Sequence, residues 1–144
     1  MNLDLLYREV ILDHYKNPRN RGELESPTVK FDGHNPLCGD TVTLHIKTDG
    51  EKITDVKFQG DGCSISQASI SMMTEKIKGL STSEVKDLIE NFRAMMKGEE
   101  DKEIDMGELE VLQGVKQFPA RIKCALLGWD TLKQSLAVLD DRKI

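Results

Sequence analysis

The residues of this chain best suited to chemistry are its three cysteines and one nearby aspartate. Cys38 and Asp40 flank Gly39 in the run Asn35-Pro36-Leu37-Cys38-Gly39-Asp40. In an extended loop, residues i and i+2 point to the same side, so this thiol and carboxylate can reach one ion, and Gly39 contributes no side chain to crowd them. Cys63 follows Gly62 at the expected start of a helix. Free backbone N–H groups and the positive end of the helix dipole favour a thiolate there, the form that binds metals and attacks electrophiles. Cys124 falls in a long C-terminal amphipathic segment. At about 100° per residue it lies roughly 120° from the centre of that segment's apolar stripe. A cysteine that only filled the core would sit on the stripe.

Three thiolates and one carboxylate supply the four donors of a closed tetrahedral zinc site, and the sulfur-rich set also suits iron–sulfur chemistry. Four anions around a divalent cation leave a local charge near about −2, so a neighbouring cation should help. Arg121, one turn before Cys124, is placed to supply it, with Lys123 as a second candidate. The plainer alternative is packing, because free cysteine is among the most buried residue types and the chain has no Cys-x-x-Cys pair. An odd number of cysteines cannot all pair within one chain, and in a reducing compartment such residues point to metal or catalysis before disulfides.

The elements that must position these groups follow from periodicity. Leu3, Leu6, Tyr7, Val10, Ile11 and Tyr15 recur at helical spacing until Asn17-Pro18 closes the segment. An Arg-containing connector leads to Val29 and Phe31, and then Val42, Leu44 and Ile46 alternate with polar residues, as half-buried strands require. Asp49-Gly50 predicts a hairpin turn, and Ile53 stands out of phase with Val56 and Phe58, which predicts a bulge near Thr54. From Ser64 the pattern is helical: one helix to Gly79, a second opened by the capping box of Ser81 and Glu84, and an acidic loop containing Glu99, Glu100, Asp101, Glu103 and Asp105. Leu109 and Leu112 suggest a short helix before Gly114, and Pro119 should open a long final helix with the stripe Ile122, Ala125, Leu126, Trp129, Leu132, Leu136 and Leu139. The expected class is α+β, a small three-stranded antiparallel sheet with helices mainly on one face, in a single domain spanning residues 1–144.

Composition narrows the function. With 38% apolar, 31% charged and 5% aromatic residues, the chain reads as water-soluble and globular, and a net charge of −5 gives no attraction for phosphate backbones. Nucleic acid is not an expected partner. No stretch approaches the ~20 apolar residues of a membrane span, and the acidic residues near the N-terminus fit neither a signal nor a transit peptide. A cytoplasmic location is expected. His34 reads as a solvated loop residue, His14 and His45 as helix and strand positions without partners, and Met72, Met73, Met95 and Met96 as core.

The segments Pro36-Leu37-Cys38-Gly39-Asp40, Gly60-Asp61-Gly62-Cys63-Ser64-Ile65-Ser66 and Ile122-Lys123-Cys124-Ala125 resemble the three cysteine motifs of the IscU-like family of iron–sulfur assembly proteins. The opening Leu5-Leu6-Tyr7 and Ile11-Leu12-Asp13-His14-Tyr15-Lys16-Asn17-Pro18 match as well, so the resemblance covers almost the whole chain. It is nearest to the SufU branch. Scaffold members carry a histidine before the third cysteine where this chain has Lys123, and their stretch between the second and third cysteines is shorter. Gln117-Phe118-Pro119-Ala120-Arg121 replaces the Leu-Pro-Pro-Val-Lys motif that scaffolds offer a chaperone. The resemblance implies a zinc-dependent sulfurtransferase that takes persulfide sulfur from a SufS-type cysteine desulfurase and serves downstream iron–sulfur assembly proteins. Its ligands would fall on Cys38, Asp40, Cys63 and Cys124, and its sulfur acceptor on Cys38. Arg121 would then stabilise the Cys38 thiolate as it leaves the metal. The alternative within the family is a scaffold on which an Fe–S cluster is assembled and passed on.

Overall fold

Alternation and helical stripes resolve into three strands and four α-helices in the structure, a computed structural model that describes residues 3–36, 39–99 and 106–142. Helix α1 (Leu3–Lys16) precedes β1 (Val29–Asn35), β2 (Asp40–Thr48) and β3 (Ile53–Gln59), which form one antiparallel sheet in the order β1-β2-β3. The expected bulge is present. Lys47 pairs with Asp55 and Thr48 with Ile53, so Thr54 is the extra residue, and its hydroxyl donates to the Lys47 carbonyl. Beyond β3 the connector after α1 runs alongside the sheet edge, where the Gly22 N–H donates to the Phe58 carbonyl and the Phe58 N–H to that of Asn20.

Helix α2 (Ser64–Ile77) ends at Lys78-Gly79, with Gly79 at φ 89°, and α3 (Thr82–Met96) starts on the complete Ser81/Glu84 capping box. All six stripe residues of α3, from Val85 to Met96, are buried, and each such side chain contributes about 1.5–3 kcal/mol on leaving water. The core lies between the inner sheet face (Val42, Leu44, Ile46, Val56, Phe58) and the helices, where Trp129 stacks on Phe92 at 4.3 Å between ring centroids. All four methionines read as core are buried. Among the described residues no helix is long and apolar enough to cross a membrane.

Several local expectations need correction. The short helix before Gly114 is a 3-10 helix that runs through that glycine, from Gly107 to Gln117. Its buried residues Leu109, Leu112 and Val115 are spaced by three, the repeat of a 3-10 turn. Gly114 is needed because a Cβ there would lie 2.8 Å from the Tyr7 ring. Pro119 opens a 3-10 turn, Pro119–Arg121, and the long helix α4 spans Ile122–Arg142. Tyr15 is exposed although it continues the apolar spacing of α1. His34 lies exposed in β1, not in a loop. His45 is buried with Nε2 3.2 Å from Gln59 Oε1. His14 is also buried, its Nδ1 2.8 Å from Ser71 Oγ and its Nε2 2.6 Å from Glu108 Oε1. Of the acidic loop, all but Glu99 lies outside the described residues.

Candidate metal centre

Asp40 is the first residue of β2 and is 1% exposed. Two approaches place its carboxylate. The Thr41 N–H donates to the Asp61 carbonyl at 2.8 Å, drawing the strip after β3 against the start of β2. Glycines permit that contact: a Cβ at Gly60 would lie 2.2 Å from the Thr41 carbonyl oxygen, and one at Gly62 would lie 2.5 Å from Asp40 Oδ1. Asp40 Oδ1 then accepts the Cys63 N–H at 2.9 Å, while Oδ2 lies 3.5 Å from the Cys63 sulfur.

Cys63 is the N-cap of α2, with φ −72° and ψ 166°, and its Sγ accepts the Ser66 N–H at 3.4 Å. A sulfur in this position receives a helix N-terminal donor that normally goes to a capping oxygen. Ser66 holds Cys63 a second time, its hydroxyl donating to the Cys63 carbonyl at 3.1 Å. Cys124 enters from α4 and is 1% exposed, although it lies off that helix's apolar stripe. Helices α2 and α4 come close enough for this because Gly128 has no Cβ, which would lie 2.5 Å from Ile70 Cγ1. Ser69 locks the approach, donating to the Ala125 carbonyl at 2.7 Å and accepting the Trp129 indole N–H at 3.1 Å.

The result is a carboxylate and two thiols from three distant segments, with ligand atoms all within 4.8 Å of one another. These donors fit a zinc-sized ion. Tetrahedral bonds of about 2.3 Å to sulfur and 2.1 Å to oxygen put sulfur and oxygen about 3.6 Å apart, and the Cys63–Asp40 separation is 3.5 Å. The fourth predicted donor, Cys38, lies outside the described residues. Gly39 beside it has φ 72° and sends its N–H to the Asn35 carbonyl. This is a turn, so the extended-chain argument for joining Cys38 to Asp40 does not apply across Gly39.

Arg121 brings the cation that the cluster calls for. Its guanidinium hydrogen-bonds the Cys124 thiol and faces Cys63, and these contacts raise its pKa above the ordinary arginine value, the bond to Cys124 most of all. Lys123 points elsewhere, lining a cavity of about 490 Å³ with His34, Arg93 and Asp130. Tyr7 and Ser66 are the neighbours that sequence reasoning missed. The Tyr7 ring rests on Gly114, and its hydroxyl pKa is raised mainly by burial, with Arg121 lowering it and Cys63 raising it. By periodicity Tyr7 reads as one more member of the α1 stripe, which does not point it at the thiols.

Comparison with known proteins adds to this geometry. Residues 6–125 match the model of the NifU-like N-terminal domain family. The zinc-dependent sulfurtransferase SufU of Bacillus subtilis is 53% identical over 137 residues, covering 94% of this chain and 92% of that protein. The iron–sulfur cluster assembly scaffold protein IscU of Streptococcus pyogenes is 43% identical, covering 93% of this chain and 84% of that protein. Among solved structures, a protein described as a scaffold for the SUF system, from Fervidobacterium islandicum, superposes with a TM-score of 0.87 at 42% identity, covering 92% of this chain and 97% of that one.

Proposed function

The chain belongs to the family of NifU-like N-terminal domains, and on that premise we propose that it is a zinc-dependent sulfurtransferase for iron–sulfur cluster assembly. It would receive persulfide sulfur from a cysteine desulfurase. The observation that carries the reading is the convergence of Asp40, Cys63 and Cys124 within 4.8 Å in a chain 53% identical to a protein of that activity.

Cys63 and Cys124 are the anchored donors, one fixed as a helix cap and one held on a buried helix. Asp40 is the hard donor, oriented by the Cys63 N–H. Cys38 completes the set and is the acceptor. Zinc, when bound, keeps thiols deprotonated at neutral pH. In the transfer, the Cys38 thiolate attacks the outer sulfur of the desulfurase persulfide, that S–S bond breaks, and the desulfurase thiolate leaves. One persulfide is exchanged for another, with no net oxidation. Arg121, already beside Cys63 and Cys124, would stabilise the Cys38 thiolate once it is free of zinc and before it attacks.

A second reading is kept because of the 43% identical IscU scaffold: the same sulfur-rich donors would hold an Fe–S cluster during its assembly. Mixing the zinc-loaded protein with desulfurase and cysteine, then locating persulfide by mass spectrometry while counting metal, separates the two. The transfer reading expects persulfide on Cys38 and one zinc per colourless chain. Brown protein with iron and sulfide after anaerobic expression, and no Cys38 persulfide in the mixture, would favour the scaffold. Cys38→Ser should abolish acceptor activity because an alcohol carries no sulfane sulfur, and undiminished transfer by that variant would remove Cys38 from its role.

A further inference from the structure

Cys63 and Cys124 stand in a relation that metal binding alone does not require. Their sulfurs lie within 4.8 Å, and a disulfide of about 2.05 Å would form if they closed by roughly 3 Å or less. The two are unequally accessible. Cys63 is half-buried, whereas Cys124 is 1% exposed. The Arg121 guanidinium lies beside both sulfurs.

We propose that this pair is an oxidative modification site, with Cys63 as the hydroperoxide-reactive sulfur and Cys124 as its resolving partner, and that their disulfide ejects the metal. The Cys63 thiolate attacks one oxygen of hydrogen peroxide, the O–O bond breaks, and the departing hydroxide takes up a proton as water. Cys63 becomes a sulfenic acid, oxidised by two electrons as the peroxide is reduced. The Cys124 thiolate then attacks the Cys63 sulfur, the S–O bond breaks, and a second water leaves. The sum is two thiols and one peroxide giving one disulfide and two waters. Both anchored soft donors are thereby lost, and the Asp40 and Cys38 left of the proposed set are too few to keep zinc. Burial of Cys124 matters here, because it keeps peroxide from that sulfur while leaving it beside the sulfenic acid. The inference needs only the thiol pair and stands whether the chain transfers sulfur or assembles clusters.

The test treats the full-length zinc-loaded chain, and a chelator-stripped sample, with equimolar hydrogen peroxide. Samples are pulsed with dimedone, which traps sulfenic acids, and mapped by non-reducing peptide mass spectrometry while a chromogenic chelator reports free zinc. Expected are early dimedone labelling at Cys63, a later Cys63–Cys124 linked peptide, zinc release in step with that link, and reversal of the link by dithiothreitol. First labelling at Cys124 would overturn the proposal. So would pairing of Cys63 with another cysteine, cross-linked dimers whose yield rises with protein concentration, or sulfinic acid on Cys63 while Cys124 stays reduced. In Cys63→Ser, oxidation of Cys124 should slow at least tenfold, and an unchanged rate would reject the assigned order. The wild-type labelling sequence decides the matter if that variant fails to fold.

Discussion

Two buried junctions tie this molecule together, and they differ in the balance of their polar groups. At one, His14 of α1 meets Ser71 of α2 and Glu108 of the long 3-10 helix, while the Arg19 N–H also donates to Ser71 Oγ. Both ring nitrogens of His14 thus have a partner, Ser71 at Nδ1 and Glu108 at Nε2, so the polar groups of this junction are paired. At the other, Asp40, Cys63 and Cys124 bring three groups that carry negative charge when deprotonated within 4.8 Å, against one guanidinium. A matched junction fastens the fold. A surplus of acceptors and latent anions marks a place shaped for something positive.

The largest expected effect follows from that surplus. Cys63→Ser and Cys124→Ser should each weaken zinc binding by at least about 100-fold, because each removes an anchored soft ligand. His14→Ala should leave zinc affinity within about threefold. Competition against a chromogenic chelator measures all three, and a His14 variant that lost zinc as badly as the cysteine variants would erase the distinction between the junctions.

The converse concerns stability without metal. His14→Ala should destabilise the chelator-treated protein by about 2–3 kcal/mol, through the cavity and the hydrogen bond lost to buried Ser71. The Glu108 contribution is discounted, since that side chain is half exposed. Cys124→Ser in the same metal-free state should cost less, about 1 kcal/mol. Urea denaturation with equal m-values across the variants checks both figures.

A smaller effect tests how the surplus is held in place. Gly62→Ala puts a Cβ 2.5 Å from Asp40 Oδ1, so it should push the carboxylate aside and imitate Asp40→Ala. Both should retain zinc on thiolates while binding it about tenfold more weakly, with water in place of the carboxylate. Equal affinity of Asp40→Ala and wild type in metal titration would put Asp40 outside the ligand set.

The sequence made the local parts of this arrangement legible. Alternation gave the three strands, the phase slip at Ile53 gave the Thr54 bulge, and the Gly-Cys-Ser boundary placed Cys63 at a helix start, because each is decided within a few residues. What stayed hidden needs contacts between distant segments. His14 and Ser71 are 57 residues apart, and His14 and Glu108 are 94 apart, so no periodicity in α1 reveals either partner. Tyr7 lies near enough to feel the charge of Cys63 and Arg121, and Gly114 lets its ring lie against the 3-10 helix. The turn at Gly39 was missed for a different reason: its φ of 72° is open to glycine, but glycine also adopts extended backbone, so its presence decides nothing alone.

Arg121 offers the finest division between holding charge and using it. It lies exposed at the end of the Pro119–Arg121 turn, and its pKa is raised chiefly by the hydrogen bond to Cys124. Were neutralisation of the resting cluster its whole role, Arg121→Ala would weaken zinc slightly, solvent screening the rest, and transfer per zinc-loaded chain would not change. If it also meets charge developing on a departing Cys38 thiolate, transfer should fall at full metal loading, because a donor already in place stabilises the transition state more than the ground state. The expected outcome is a loss of threefold to tenfold in transfer rate at matched zinc occupancy, and a loss below about threefold would confine Arg121 to charge balance. Arg121→Lys sharpens the result. Lysine keeps the charge but not the planar fork that spans two sulfurs, so recovery of zinc affinity without recovery of rate would separate the two roles in one side chain.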